Sequence, residues 1–420
     1  MRTHVLANGV RLIADPTDGH QTLALSVVAG RGARSEDEAR SGWSHLLEHM
    51  VFKGAGERSA RDIVEVIEAA GGQINAATGY ERTSYQVRAL AGGLALGLEV
   101  TADLVLRPTM AEDDLAKEKK VVAQEIAEAA DTPDDFVFEL AQAAAFEGQP
   151  LGRPVLGTSS SLEAAAPRSL EAWRATLYAP DRLVISAAGA VDEDELLRQA
   201  ERLFGEGPAS PPADTPSAGR FEGRRAAEKR ALEQAHLVLF LPGLGVLDPD
   251  YFAFRLLAEM LGGGMASRLF QEARERLGLA YAIDAFAESY QDIGLLGIYA
   301  GCAGKDAPRL AKVAAAEILK LAHDGVEAAE LARAKAQLKG SLFMARESLS
   351  VRAEQAASQI LVFGRILPPE EIAAAIDRVE SADIARTAAR LLQPGRSAPA
   401  VLGPARALGA AEAFHQALFA

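Results

Sequence analysis

Ser44-His45-Leu46-Leu47-Glu48-His49-Met50 sets two histidines four residues apart with a glutamate between them. Wound as a helix, this stretch has two faces. Trp43, Leu46, Leu47, Met50 and Val51 fall at i, i+3, i+4, i+7 and i+8 and make an apolar stripe. His45, Glu48, His49 and Phe52 lie roughly 180° away, at about 100° per residue. The helix packs by one side and presents two imidazoles and a carboxylate from the other. Side chains at i and i+4 are neighbours, so both imidazoles can reach one ion. A catalytic zinc takes three protein ligands and keeps an open position for water. The ion lowers the pKa of that water to about 7, and a carboxylate within reach can take its proton. The same residues also describe a polar helix face with two incidental histidines. Chance gives the five-residue pattern in about one such chain per hundred, so a third ligand has to be sought elsewhere.

Residues 114–128 read as a helix with Leu115, Val122, Ile126 and Ala129 as its buried stripe. Glu118 and Glu125 sit on the shoulder of that stripe, about 10.5 Å apart along the axis. Carboxylates so placed need a partner or a metal if they are buried. With Lys117, Lys119 and Lys120 alongside, periodicity alone makes them a charged helix flank.

Around these two helices the chain alternates strands and helices. Residues 21–29 (QTLALSVVA) are a core strand, and Ser59 opens a helix that stops at Gly71-Gly72. Residues 73–90 read as a hairpin turning near Gly79, and 94–106 as an apolar helix. A helix over 162–177, a strand over 183–190 and a helix over 192–204 complete the first half. Residues 206–223, rich in proline and glycine, read as a linker. Beyond it the order returns: strand 236–242, helix 251–261, helix 267–277, a β pair over 280–301, then helices over 307–322 and 327–342. The expected fold is therefore α+β, with two homologous half-domains over 1–205 and 224–420 related by internal duplication. Each is expected to be a mostly antiparallel sheet covered by helices. The second half has Leu256-Leu257-Ala258-Glu259-Met260 where the first has His45 to His49, so it cannot hold a metal in the same way.

Composition narrows the class. The chain has 420 residues, 49% of them hydrophobic, which is ample for a folded core. A net charge of −14 speaks against nucleic-acid binding and is compatible with a surface or cavity that prefers basic ligands. The single cysteine, Cys302, excludes an internal disulfide and a cysteine-based zinc cluster. The opening residues read as a short hairpin about Asn8-Gly9 and lack the apolar run of a signal peptide. No run of 18 apolar residues spans a membrane. The expectation is a bacterial cytoplasmic protein.

Several segments in order carry a resemblance. His45-Leu46-Leu47-Glu48-His49 has the form H-x-x-E-H. Glu125 follows His49 at long range, and Glu118 with Glu125 forms E-x6-E. Gly71-Gly72-Gln73-Ile74-Asn75-Ala76-Ala77-Thr78, residues 151–158 (LGRPVLGT), Ser267-Arg268-Leu269-Phe270 and residues 274–281 (RERLGLAY) complete the set. With these the chain resembles the inverted-zincin metallopeptidases of the pitrilysin and mitochondrial-processing-peptidase family, in its short bacterial form. One departure is Gln149, where many members have histidine. The resemblance implies one zinc ion held by His45, His49 and Glu125, with Glu48 as general base and Glu118 supporting a ligand histidine. It implies that Asn75, Ala76 and Thr78 lie on a strand that binds peptide. Arg274 and Tyr281 either stabilise the tetrahedral intermediate or anchor the substrate. The family encloses its chamber with four half-domains, and two per chain imply a homodimer that cleaves peptides or unfolded segments. The alternatives are a catalytically silent scaffold, as in core subunits of cytochrome bc complexes, or an active subunit that needs an unlike partner.

Overall fold

The apolar run 21–29 forms Thr22–Ala29, a strand buried along almost its whole length. A strand reads this way when both of its faces are covered, and it lies in the interior of a six-stranded sheet. The strands of that sheet are Arg2–Val5 (β1), Arg11–Pro16 (β2), Thr22–Ala29 (β3), Gln73–Thr78 (β4), Thr83–Leu90 (β5) and Leu183–Gly189 (β6). Their order is β1-β2-β6-β3-β5-β4. β2 and β6 are parallel, and every other neighbouring pair is antiparallel. The structure, a computed structural model, describes residues 1–206 and 217–419. Most of the linker expected at 206–223 lies outside the described residues.

The helices of the first half are Trp43–Val51 (α1), Ala60–Ala69 (α2), Leu94–Leu106 (α3), Glu112–Asp131 (α4), Pro133–Ala145 (α5), Ser159–Glu163 (α6), Pro167–Leu177 (α7) and Glu193–Phe204 (α8). The single helix expected over 162–177 is two. Pro167 starts α7, and Ala166 before it is extended (φ −132°, ψ 156°), as a residue preceding proline must largely be.

The second sheet holds Ala226–Lys229 (β7), Gln234–Leu244 (β8), Ala280–Ser289 (β9), Ile293–Ala303 (β10) and Ala398–Gly403 (β11), in the order β9-β10-β8-β11-β7. Its one parallel pair is β11 with β7. Aligned from the edge, β4-β5-β3-β6-β2 and β9-β10-β8-β11-β7 agree in order and direction at every step. The duplication expected from element order is thus present in the strand topology, with β1 an addition to the first sheet. The helices here are Tyr251–Gly262 (α9), Ala307–His323 (α10), Ala328–Ala345 (α11), Leu349–Phe363 (α12), Pro369–Arg378 (α13), Ser381–Leu391 (α14) and Ala410–Phe419 (α15). In the segment expected as a helix over 267–277, Phe270–Arg276 takes the wider π winding. Cys302 is buried in β10.

The compact units are not the contiguous halves 1–205 and 224–420. Residues 127–153, with α5, belong to the second unit, and residues 343–367, with α12, belong to the first. The reason is packing. Small side chains let α12 lie flat on the first sheet, where Ala356, Ala357 and Ile360 meet Ile13, Val28 and Val184. α5 packs in the equivalent way on β8 and β11 of the second sheet. Among the described residues no helix is long and apolar enough to cross a membrane.

Candidate metal centre

α1 begins without a polar N-cap. Gly42 holds that place in the left-handed region, at φ 84°. A Cβ there would stand 2.5 Å from the Leu156 carbonyl oxygen and 2.6 Å from Gly157 Cα, so only glycine fits. The cap comes from farther away. The buried Glu36 carboxylate accepts the backbone N–H groups of Gly42 (2.8 Å) and Ser44 (2.7 Å). The second is one of the donors that a helix start leaves open. The apolar stripe packs where periodicity places it: Trp43, Leu46, Leu47, Met50 and Val51 are all buried. Trp43 Nε1–H donates to Ser161 O (2.9 Å), and Trp173 Nε1–H donates to Ser44 Oγ (3.2 Å). These bonds fix the rotation of α1 and hence the direction of its polar face.

On that face the rings of His45 and His49 lie 4.7 Å apart. α4 brings Glu125 to them, its Oε2 3.8 Å from His45 Nε2 and 3.6 Å from His49 Nε2. Zinc bonds of about 2.1 Å in a tetrahedron separate donor atoms by roughly 3.4 Å, so the three donors stand close to where one ion requires them. Among the described residues, these three are the group of His, Cys, Asp and Glu side chains that could hold an ion, with donor atoms within 4.8 Å of one another.

The surroundings prepare both imidazoles. His45 Nδ1 is buried without a hydrogen-bond partner. Burial first, and His49 second, push the His45 pKa down to about 4. The ring is therefore neutral at pH 7, as a metal ligand must be. His49 Nδ1 lies 3.1 Å from Glu118 Oε2. Donation from Nδ1–H to that carboxylate leaves the Nε2 lone pair facing Glu125. Glu118 is 5% exposed, not a solvated flank. Its other oxygen is 2.9 Å from Lys53 Nζ. Two of the lysines beside it on α4 are engaged elsewhere, Lys117 with Asp114 and Lys119 with the Glu163 carbonyl. Lys53 was not singled out from sequence. It lies in the turn after α1, beyond the helix's last residue Val51, so helical periodicity carries no signal for it.

Glu48 stands beside the cluster, half-buried. Burial raises its pKa, and the Thr78 hydroxyl, donating to Oε2 at 2.5 Å, opposes the rise. Thr78 closes β4, the edge strand of the first sheet. Asn75 on that strand is exposed, while Ala76 and Thr78 are half-buried. A cavity of about 610 Å³ runs along the strand and is lined by Glu48, His49, Phe52, Lys53, Ile67 and Ile74, among others. The structure thus brings His45, His49, Glu125, Glu48, Glu118 and Thr78 together.

Arg274 and Tyr281 belong to the second unit, not to this cluster. The Arg274 guanidinium lies 4.6 Å over the Phe270 ring. Tyr281 is 66% exposed on β9, the counterpart of β4. Gln149 accepts from the Arg220 N–H (2.8 Å) and donates to the Arg220 carbonyl (2.7 Å). In the segment 151–158, Gly157 abuts Gly42 and helps seat α1.

Comparison with known proteins gives the same picture at family level. Residues 10–159 match the family described as insulinase (peptidase family M16), and residues 166–338 match the peptidase M16 inactive domain. A protein of Rickettsia bellii named as an uncharacterized zinc protease is 36% identical over 400 residues, covering 95% of this chain and 96% of its own. The uncharacterized zinc protease YmxG of Bacillus subtilis is 36% identical over 89% of this chain and 91% of its own. Among solved structures, a protease from Helicobacter pylori superposes with a TM-score of 0.89 at 21% identity, over 96% of this chain and 99% of its own. A chain of complex III from Candida albicans does so with a TM-score of 0.86 at 19% identity, over the full length of both.

Proposed function

The chain belongs to the insulinase family of M16 peptidases, and on that premise we propose that it is a zinc-dependent endopeptidase acting on peptides or unfolded segments. The observation that carries this reading is the donor set of His45, His49 and Glu125 with Glu48 on the same face. Two imidazoles and a carboxylate with one side left open are the chemistry of a catalytic rather than a structural zinc site. When bound, zinc supplies a water acidic enough to ionise near neutral pH. His45 and His49 would hold the ion through Nε2, and Glu125 through its carboxylate. Glu118 keeps the His49 ring in the required tautomer. Glu48 takes the proton from the water and carries it to the leaving amine, and the Thr78 hydroxyl holds its carboxylate in one orientation.

The edge of β4 offers unpaired backbone groups to an extended peptide, which would add as a further strand over Asn75, Ala76 and Thr78. Recognition through the main chain gives broad tolerance of side chains. Arg274 and Tyr281 supply donors for the developing oxyanion or anchor the substrate. In this reading they reach the zinc site from the second chain of a homodimer that closes the chamber. The bacterial relatives, and the lack of a membrane-crossing helix among the described residues, support a cytoplasmic setting.

Glu48→Gln tests the core of the proposal. Peptide hydrolysis should fall by about 10²- to 10⁴-fold, with zinc content unchanged. Full activity in that variant would remove Glu48 as the base. The likeness to a complex III chain favours a second reading, a scaffold of the same fold. Purified protein that holds no zinc, and gains no hydrolysis when zinc is added, would establish that reading instead.

A further inference from the structure

A peptide strand lying beside β4 has two sides, and the cavity next to the metal cluster receives only one of them. Side chains alternate along β4. Ile74 and Ala76 turn inward and pack on the core of the first unit, whereas Gln73, Asn75 and Ala77 are exposed. Strand pairing fixes which neighbours share that outer side. Gln73 stands opposite Arg88, which stands opposite Ala24; Asn75 stands opposite Gln86, which stands opposite Ser26. Both Gln86 Nε2–H and Ser26 Oγ–H donate to Glu354 of α12, which marks this as the face that α12 covers.

Beside α12, where it leaves the sheet edge uncovered, lies a second cavity of about 770 Å³. His20, Gln73, Asn75, Arg88 and, from the segment entering α12, Glu347 and Ser348 are among its lining residues. It shares Gln73, Ile74 and Asn75 with the inner cavity, so β4 is the wall between the two. Arg88 is exposed, and its guanidinium has no ion-pair or hydrogen-bond partner among the described residues. In a chain with 58 acidic and 44 basic residues, an unpaired arginine beside a binding edge is out of keeping with its surroundings. Glu347 also lines the cavity, but it forms no ion pair with Arg88 and lies outside the sheet. Ser348, Leu349 and Ser350 at the start of α12 line this cavity, and the helix's first turn adds positive potential.

From these observations, and resting on the reading of β4 as the substrate strand, we infer that the outer cavity is a side-chain subsite for an aspartate or glutamate of the bound peptide. A strand added to the edge lies about 4.8 Å from β4 and about 9.6 Å from β5. An extended arginine and a glutamate together bridge the second distance. Because successive side chains of a strand point to opposite faces, the acidic residue neighbours the one that enters the inner cavity. Preference for an acid is therefore confined to the one outer-face position that reaches Arg88, while the protein's net charge disfavours acids at all positions.

The test is a set of fluorogenic peptides identical except at one position, walked along both sides of the cleaved bond as Glu, Gln or Lys. For the wild type, kcat/KM should favour Glu over Lys by roughly fivefold at an outer-face position and not at its immediate neighbours. Arg88→Gln should abolish that preference, and Arg88→Glu should invert it at the same position. A preference that changes equally at all positions, or at none, overturns the subsite. Failure of the peptidase reading has a different signature: no cleavage by the wild type, or cleavage that survives Glu48→Gln.

Discussion

His45 and His49 are four residues apart on one helix face, yet their environments differ. His49 has Glu118 behind it, and Glu118 has Lys53. His45 has an unpartnered Nδ1 in a buried setting. Its pKa of about 4 in the fold, against 6.5 for the free side chain, has a consequence for the metal-free protein. Between those values the unfolded chain binds more protons than the native one, so stability rises with pH across that window. At 1.36 kcal/mol per unit, His45 accounts for roughly 3 kcal/mol at most. Above pH 6.5 the penalty is gone, and below about pH 4 it is complete. Denaturant unfolding of chelator-treated protein between pH 4 and 7 should show this slope, and His45→Asn should reduce it. An unchanged slope in the variant would assign the pH dependence to other groups. The ligand histidines were legible from their spacing. Lys53 and the burial of Glu118 were not, because a helical period reports which face is apolar and not which charge meets it from another segment.

At the scale of elements, the metal site depends on how α1 is seated. Gly42 at φ 84° and Gly157 at φ 78° pass within contact of each other. Alanine at Gly42 would place its Cβ against backbone atoms that cannot swing aside, and would also strain φ. Gly42→Ala should therefore cost about 1–3 kcal/mol. It should also weaken zinc retention, because the start of α1 must shift by a large part of an ångström. Thermal melts with and without zinc check both effects. A variant with normal melting and normal zinc content would show that the loop at 156–157 gives way. The apolar stripe of α1 could be read from the sequence because its cause is local. The cap could not, since Glu36 reaches Gly42 and Ser44 from an irregular loop with no periodic signature. Nor could the exchange of α5 and α12. The buried alanines of α12, such as Ala356 and Ala357, announce a packed face, but they carry no record of which sheet it meets.

Across the whole molecule, the two sheets share one topology, and among the described residues only the first half carries the cluster of metal donors. His45 to His49 in α1 is matched by Leu256 to Met260 in α9. Element order made the repeat legible, whereas the one parallel pair in each sheet, β2 with β6 and β11 with β7, had no sequence signal. A half freed from holding metal can serve a site on another chain, and the homodimer reading assigns Arg274 and Tyr281 that role. This makes a prediction about mixtures of inactive chains. Glu48→Gln leaves Arg274 and Tyr281 intact, and Arg274→Ala leaves the zinc cluster intact. If each site takes its arginine from the partner chain, a mixed dimer contains one site with both defects and one with neither. After random exchange of equal amounts, about half the dimers are mixed, and activity should return to about a quarter of the wild-type value. If each chain supplies its own arginine, every site in the mixed dimer keeps one defect and mixing restores nothing. Peptide hydrolysis after co-refolding, with each variant alone as the control, distinguishes the two. A chain that runs as a monomer in size-exclusion chromatography while fully active would exclude sharing altogether.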